Sequence, residues 1–259
     1  MNLIQKAIDK NRLYPLLEVP VNTSPNKLYS IPFLGFFIKM VILIPVFIIA
    51  LGLGIATFIL LLINPFMVLA TGVYWKTAYE ILVMEARYTA KITLFVYGLT
   101  DKYPGFNFNT EGFSLELPYP KTVNKLYAVP LVGLFIRVIL MIPFSIFSNI
   151  IANGAAVGIF LAGWIAVLFQ SRYAESLHEI GQDTVRMQLT SMMYFSGLED
   201  RYPSFWISMN HKNIKILLII IGILLTLNSY SSYGRGKSES LNSSQNYRYQ
   251  NSVTNPYAP

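Results

Sequence analysis

The stretch Asn26-Lys27-Leu28-Tyr29-Ser30-Ile31-Pro32-Phe33-Leu34-Gly35-Phe36-Phe37-Ile38-Lys39 returns as Asn124-Lys125-Leu126-Tyr127-Ala128-Val129-Pro130-Leu131-Val132-Gly133-Leu134-Phe135-Ile136-Arg137. Eight of the fourteen positions are identical and the rest are conservative swaps. Each copy opens a long apolar run, so the sequence reads as a duplicated membrane unit. The chain has 259 residues, of which 54% are hydrophobic and 13% charged. Soluble domains carry about 25% charged residues, and here the apolar ones lie in blocks.

A second motif closes each copy: Asp101-Lys102-Tyr103-Pro104-Gly105-Phe106 and Asp200-Arg201-Tyr202-Pro203-Ser204-Phe205. The spacing is 98 between Lys39 and Arg137 and 99 between Asp101 and Asp200. The second copy therefore gains one residue inside its apolar block. Before each block, Tyr14–Pro20 and Phe113–Pro118 place a glutamate among aliphatics ahead of a proline, the pattern of a short strand. With the Phe106-Asn107-Phe108 alternation, these segments predict a cytoplasmic sheet of about four short strands.

The apolar blocks, Phe33–Trp75 and Leu131–Phe169, hold one charge each, Lys39 and Arg137. A helix crosses the hydrocarbon in about 20 residues, so each block reads as a hairpin of two spans. The turns are expected near Leu51–Gly54 and within Ser145–Gly154. Pro45 and Pro143 kink the first span of each. Lys27, Lys76, Arg87, Lys91, Lys125, Arg172 and Arg186 flank the blocks, which places both feet and the N-terminus in the cytoplasm and runs the copies parallel. After each block an amphipathic helix carries a polar stripe, Lys76, Glu80, Arg87 and Lys91, then Glu175, Glu179, Gln182, Asp183 and Arg186. Gly98 and Gly197 cap these helices. Ile214–Asn228 reads as a fifth span with Lys215 snorkelling, and 231–259 as a disordered polar tail. Met1–Pro15 lacks a cleavable signal pattern.

The domains implied are repeat 1 (1–110), repeat 2 (111–210), a transmembrane helix (211–230) and the tail (231–259). The fold class expected is an α-helical integral membrane protein. It would consist of two tandem transmembrane hairpin repeats with amphipathic interface helices, short cytoplasmic β-strands and a fifth transmembrane helix.

Little in the sequence carries chemistry. Cysteine is absent and only two histidines occur. His178-Glu179 lacks the second histidine of a zinc-protease helix. There is no phosphate loop, nucleophile elbow or paired carboxylate, and the net charge of +7 sits at membrane edges rather than on a nucleic-acid-binding face. No catalytic residue, metal or cofactor is expected. The candidate contact residues are the matched pairs Lys39 and Arg137, Glu80 and Glu179, and Arg87 and Arg186. A charge at membrane depth is a functional candidate. Lys39 and Arg137 have four readings: snorkelling, pairing with Glu80 and Glu179, binding inner-leaflet lipid phosphate, or lining a transport path. Arg87 and Arg186 are expected to dock on Asp101 and Asp200 or their strands.

Thr100-Asp101-Lys102-Tyr103-Pro104-Gly105-Phe106 resembles the closing motif of the bacterial membrane family catalogued as domain of unknown function 4389. Ser171-Arg172-Tyr173 is similar to that family's Gly-Arg-Tyr-Pro foot without the proline, and Gly72-Val73-Tyr74 departs from it. The resemblance runs from Tyr14 to Ser208 in two copies and implies a membrane architecture with no assigned activity. The expected role is a non-enzymatic scaffold or accessory subunit of a bacterial inner membrane, with lipid and a membrane-protein partner or second copy as its contacts. The alternative is a small transporter with a path between the halves, for which Thr57, Asn64, Asn149 and Asn153 are the mid-block polar groups.

Overall fold

The computed structural model describes residues 15–31, 33–120, 123–124, 129–205, 207–208 and 210–232. The N-terminal segment 1–14 and most of the tail, 233–259, lie outside them. Chain order is β1 (Leu16–Glu18), a 3-10 turn (Lys27–Ser30), α1 (Leu34–Thr71), α2 (Lys76–Tyr97), β2 (Ser114–Glu116), α3 (Val132–Val157), a π-helical turn (Gly158–Gly163), α4 (Trp164–Gln170) and α5 (Glu175–Ser196). A final helix, α6, covers Lys212–Ser232.

The hairpin expectation is overturned for both blocks. Leu34–Thr71 is one helix of 38 residues, and Val132–Gln170 one rod of 39. No turn forms at Leu51–Gly54 or within Ser145–Gly154. The reason is local. Leu51–Gly54 offers no polar side chain to satisfy the carbonyls a reversal would free. Asn149 spends its amide on the Ser145 carbonyl of its own helix, and a continuous helix bonds its carbonyls internally. Glycine costs a helix only about 1 kcal/mol relative to alanine. Pro45 and Pro65 are both carried inside α1, and Pro143 inside α3. Among the described residues, three helices, not five, are long and apolar enough to cross a membrane: α1, α3–α4 and α6.

The chain reverses instead after each long helix. Gly72 (φ 75°) and Ser171 (φ 55°) end α1 and α4 in the left-handed conformation, and α2 and α5 then fold back. Each half is thus a long apolar helix with a shorter amphipathic helix returning along it. The same uncommon backbone opens both long helices, with φ at 62° for Phe33 and 63° for Leu131. Gly35 is required because a Cβ there would collide with the Tyr29 carbonyl of the 3-10 turn. The one-residue gain falls between Pro143, 98 after Pro45, and Tyr173, 99 after Tyr74. The π-helical turn at Gly158–Gly163 lies in that interval. A π turn is wider by one residue than an α turn, so it takes up the extra residue without moving the ends.

The sheet is smaller than expected. Only β1 and β2 pair among the described residues, antiparallel, with Leu17 opposite Leu115. The Tyr-Pro segments form no strands because α2 and α5 take their backbone groups. Tyr88 donates to the Gly105 carbonyl at 2.9 Å and Lys91 to the Asn107 carbonyl at 3.0 Å. The Ser208 amide donates to Asp183 at 2.9 Å.

The halves pack head to tail. Phe36 near the start of α1 meets Phe160 near the end of the second rod at 5.8 Å between ring centroids. Leu61, Asn64 and Val68 near the end of α1 lie by Leu134 and Arg137 at the start of α3. The long helices are therefore antiparallel, and the parallel arrangement inferred from the hairpins does not hold. β1 and β2 rest on α2 and α5: Gln182 donates to the Leu17 carbonyl at 2.8 Å, and Tyr79 to the Leu117 carbonyl at 2.6 Å. The buried core is centred on α2 and α5, with Leu82, Ala86, Leu94, Ile180, Val185 and Leu189 nearly fully enclosed.

Candidate functional site

Lys39 and Arg137 sit one to two turns into their long helices, on the faces turned toward α2 and α5, and are 1% and 3% exposed. The last carbonyls of a helix lack internal partners and carry partial negative charge, which a cation satisfies. Lys39 Nζ lies 3.4 Å from the Val96 carbonyl at the end of α2. The rings of Trp164, Phe95 and Tyr29 stand 4.9, 5.4 and 5.9 Å from it. Arg137 does the same for α5, donating to the Tyr194 carbonyl at 2.6 Å and the Glu199 carbonyl at 3.2 Å. Its other terminal nitrogen pairs with Asp200.

The repeated aspartates complete each junction. Asp101 accepts from the Asn26 amide at 2.7 Å and Asp200 from the Asn124 amide at 2.8 Å. The closing motif thus clamps the start of the opening motif in the same half. Each junction also receives a tyrosine from the opposite half. Tyr74 donates to the Ser196 carbonyl at 2.8 Å, and Tyr173 to the Tyr97 carbonyl at 3.1 Å. Gly98 and Gly197 (φ 74° and 76°) leave room there: a Cβ on Gly98 would stand 3.2 Å from Lys39 Nζ and 3.3 Å from Trp164 Nε1.

The two junctions also differ in what covers the cation. Trp164 covers Lys39, and the residue 99 earlier is Pro65. With proline there, a cavity of about 40 Å³ remains beside Arg137, lined by Asn64, Pro65, Val68, Tyr74 and Phe195 among others. That is room for about one water.

The other candidates are dispersed. Neither Glu80 nor Glu179 reaches the matched cation, which corrects the expected pairing: each lies near the opposite end of its helix. Glu80 is exposed and 3.9 Å from Lys76. Glu179 binds Lys215 at 2.8 Å and Asn210 at 3.1 Å, with His211 3.7 Å away. Burial alone would raise the Glu179 carboxyl, but the bonds from Lys215 and Asn210 and the charges of Lys215 and His211 outweigh it and hold it below the ordinary range. Lys215 is 1% exposed and also donates to the Ser208 carbonyl at 2.9 Å, so it anchors α6 on α5 rather than snorkelling. Arg186 docks on β1 through the Leu17 carbonyl at 3.1 Å and pairs with Asp183 at 3.0 Å, not with Asp200. Burial raises the Asp183 carboxyl in spite of Arg186. Arg87 is exposed and makes no ion pair among the described residues.

Two groups carry no sequence signal. Glu85 leans into α1 at Gly54, its Oε1 3.9 Å from where a Cβ would stand. Burial raises this carboxyl, opposed by the Thr57 hydroxyl. His178 is 3% exposed with Nε2 unpartnered. Burial lowers its pKa, opposed by the Pro20 carbonyl and Glu179. No motif marks Glu85, and His178 shows in the sequence only as an incomplete zinc-protease pattern; the burial of each is set by what packs over it. Among the described residues, no three His, Asp or Glu side chains are grouped to hold a metal ion.

Residues 132–207, which cover the second rod, α5 and the second Tyr-Pro segment, match a protein family described as a domain of unknown function (DUF4389). No curated protein and no solved structure matches the chain. The family match is narrower than the resemblance seen in the motifs, since it falls on the second half alone.

Proposed function

We propose that this protein is a non-enzymatic scaffold or accessory subunit embedded in a bacterial inner membrane and built from two copies of one unit. The observation that carries the reading is the use made of the matched residues. Lys39 and Arg137, Asp101 and Asp200, and Tyr74 and Tyr173 are all spent on locking helix ends and joining the halves. What remains outside is apolar surface on α1, α3 and α6 and scattered charges, bases around the ends of the long helices and carboxylates such as Glu18, Glu80 and Glu116. The bases favour the cytoplasm for the N-terminus and the polar layer.

Anionic lipid meets the exposed bases in this reading. Lys27, Lys76, Arg172 and Arg201 are exposed around the ends of the long helices, whereas Lys39 and Arg137 are enclosed. Of the transporter alternative's four polar candidates, Thr57 is buried beside Glu85 and the other three are fastened. Asn64 accepts from the Trp75 amide at 3.2 Å, Asn149 donates to the Ser145 carbonyl at 2.8 Å, and Asn153 donates to Thr226 at 3.0 Å. These are fastenings rather than the lining of a path.

The test is purification from native membranes in a gentle detergent, followed by reconstitution in vesicles loaded with a fluorescent ion indicator. Co-migration with a partner or a second copy, and no ion flux, is expected. Protein-dependent flux lost on sealing the Arg137 cavity with Pro65→Trp would overturn the scaffold reading.

A further inference from the structure

We infer that α1 and the α3–α4 rod lie in the plane of the membrane, side by side in one leaflet, instead of standing upright through it. The inference deepens the proposed membrane reading and rests on it.

Length is the first reason. At 1.5 Å per residue, 38 residues run about 57 Å, while the hydrocarbon core is about 30 Å thick. The exposed apolar side chains do not stop partway. They continue from Leu34 and Phe37 through Leu51 and Phe58 to Phe66 and Leu69. Fitting that stripe into the core upright would need a tilt of more than about 50°, beyond the roughly 0–40° found for membrane helices. Lying flat, the whole stripe is buried at one depth.

Symmetry is the second and independent reason. Two antiparallel helices exchanged by a twofold axis have that axis perpendicular to them. Leu17 and Leu115 occupy the same place in the two halves and face each other in the sheet, so the axis passes through the β1–β2 pair. If the long helices stood upright, the axis would lie at mid-depth and the sheet with it. Glu18 and Glu116, both exposed, would then face the centre of the bilayer. An exposed strand edge and two carboxylates there have no partners.

With the helices in the plane, the axis follows the membrane normal. The sheet is then outermost, α2 and α5 form the layer below, and α1 and α3 face lipid. The exposed bases Lys27 and Arg172 at one end of the slab, and Lys76 and Arg201 at the other, then reach phosphates of the same leaflet. The surface thus fits the headgroup and upper acyl region of an anionic leaflet.

The chain has no cysteine, so single labels are readily placed. Val41→Cys, Leu51→Cys and Phe66→Cys change exposed positions on α1, and Glu18→Cys marks the sheet. Each variant is spin-labelled in vesicles of phosphatidylcholine with a quarter phosphatidylglycerol, and immersion depth is read from oxygen and nickel-chelate accessibility. Depths for the three α1 labels that agree to within one helix diameter, about 10 Å, with the Glu18→Cys label in water, are expected. A Leu51→Cys label at the bilayer centre, flanked by shallow labels at Val41→Cys and Phe66→Cys, overturns the in-plane arrangement and leaves the membrane reading intact. Water exposure of all four labels overturns both.

Discussion

Leu17 and Leu115 face each other across a two-stranded sheet while holding the same position in the two halves of the chain. Both are buried, at 1% and 6% exposure, and belong to the cluster formed with α2 and α5. The residues beside them, Glu18, Ser114 and Glu116, point outward. The pair therefore closes the core at the pseudo-twofold axis. Leu17→Ala is expected to cost about 2–5 kcal/mol, the range for removing a buried leucine. Because the two side chains share one space, Leu17→Ala with Leu115→Ala should cost less than the sum of the single changes. Thermal unfolding of the two single variants and the double variant in detergent measures this, and strict additivity would contradict a shared contact.

Arg137 and Lys39 are matched in sequence but differ in what depends on them. Arg137 satisfies two carbonyls and the Asp200 carboxylate. Removing it takes the charged donor from both carbonyls, at about 1–3 kcal/mol each, and leaves Asp200, a quarter exposed, with its bond from Asn124 alone among the described residues. Lys39 has one long backbone bond and three aromatic rings, and Asp101 keeps its bonds from Asn22 and Asn26 without it. Methionine fills a similar volume and packs well on rings. Arg137→Met is expected to lower the unfolding temperature sharply, and Lys39→Met to cost under about 1.5 kcal/mol. Equal losses in the two variants, read by the same melts, would refute the asymmetry.

His178 sets a pH dependence. Its imidazole is buried under Tyr173, the Pro20 carbonyl and Glu179. Burial holds the neutral form, so its folded pKa lies below its unfolded value of about 6.5. The unfolded chain therefore binds more protons as pH falls past that point, and stability declines. The contribution is fully present above about pH 6.5 and is lost progressively as pH falls through the lowered folded pKa. Melting at a series of pH values between neutral and mildly acidic should show this decline in the native protein and a shallower one in His178→Gln. Identical profiles would exclude His178 as the cause.

Much of this fold is legible in local chemistry, and its arrangement is not. The proline-bounded segments at Leu16–Glu18 and Ser114–Glu116 announce strands, and Gly98 and Gly197 announce helix ends. The shift in spacing from 98 to 99 announces an insertion, which the π turn accommodates. What misleads is length. A block of some forty apolar residues reads as two crossings only if a crossing is assumed, and hydropathy is the same for a helix upright or flat. The hydrogen-bonding duties of Lys39, Arg137 and the aspartates depend on which helix end returns to meet them. No periodicity within one element records that. The unpartnered Nε2 of His178 and the half-buried Glu85 are invisible for the same reason.

The attachment of α6 rests on glycines, and its loss is separable from loss of the fold. A Cβ on Gly154 would collide with the Leu218 carbonyl, and one on Gly222 with the Ile150 carbonyl. Such backbone contact is possible only without side chains, as in other close-packed membrane helices. Lys215 on Glu179 fastens the start of α6, and Asn153 on Thr226 its later turns. In the cysteine-free chain, Asn153→Cys with Thr226→Cys should form a disulfide readily under mild oxidation. Adding Gly222→Leu to this pair is expected to abolish the crosslink, since a large side chain cannot be absorbed by backbone. α6 adds Leu218, with Ile219 and Ile221 packed beside it, to a core whose other members are mostly on α2 and α5, so the unfolding temperature should fall while cooperative unfolding of the rest persists. An undiminished crosslink in the presence of Gly222→Leu would show that α6 is not seated through this contact.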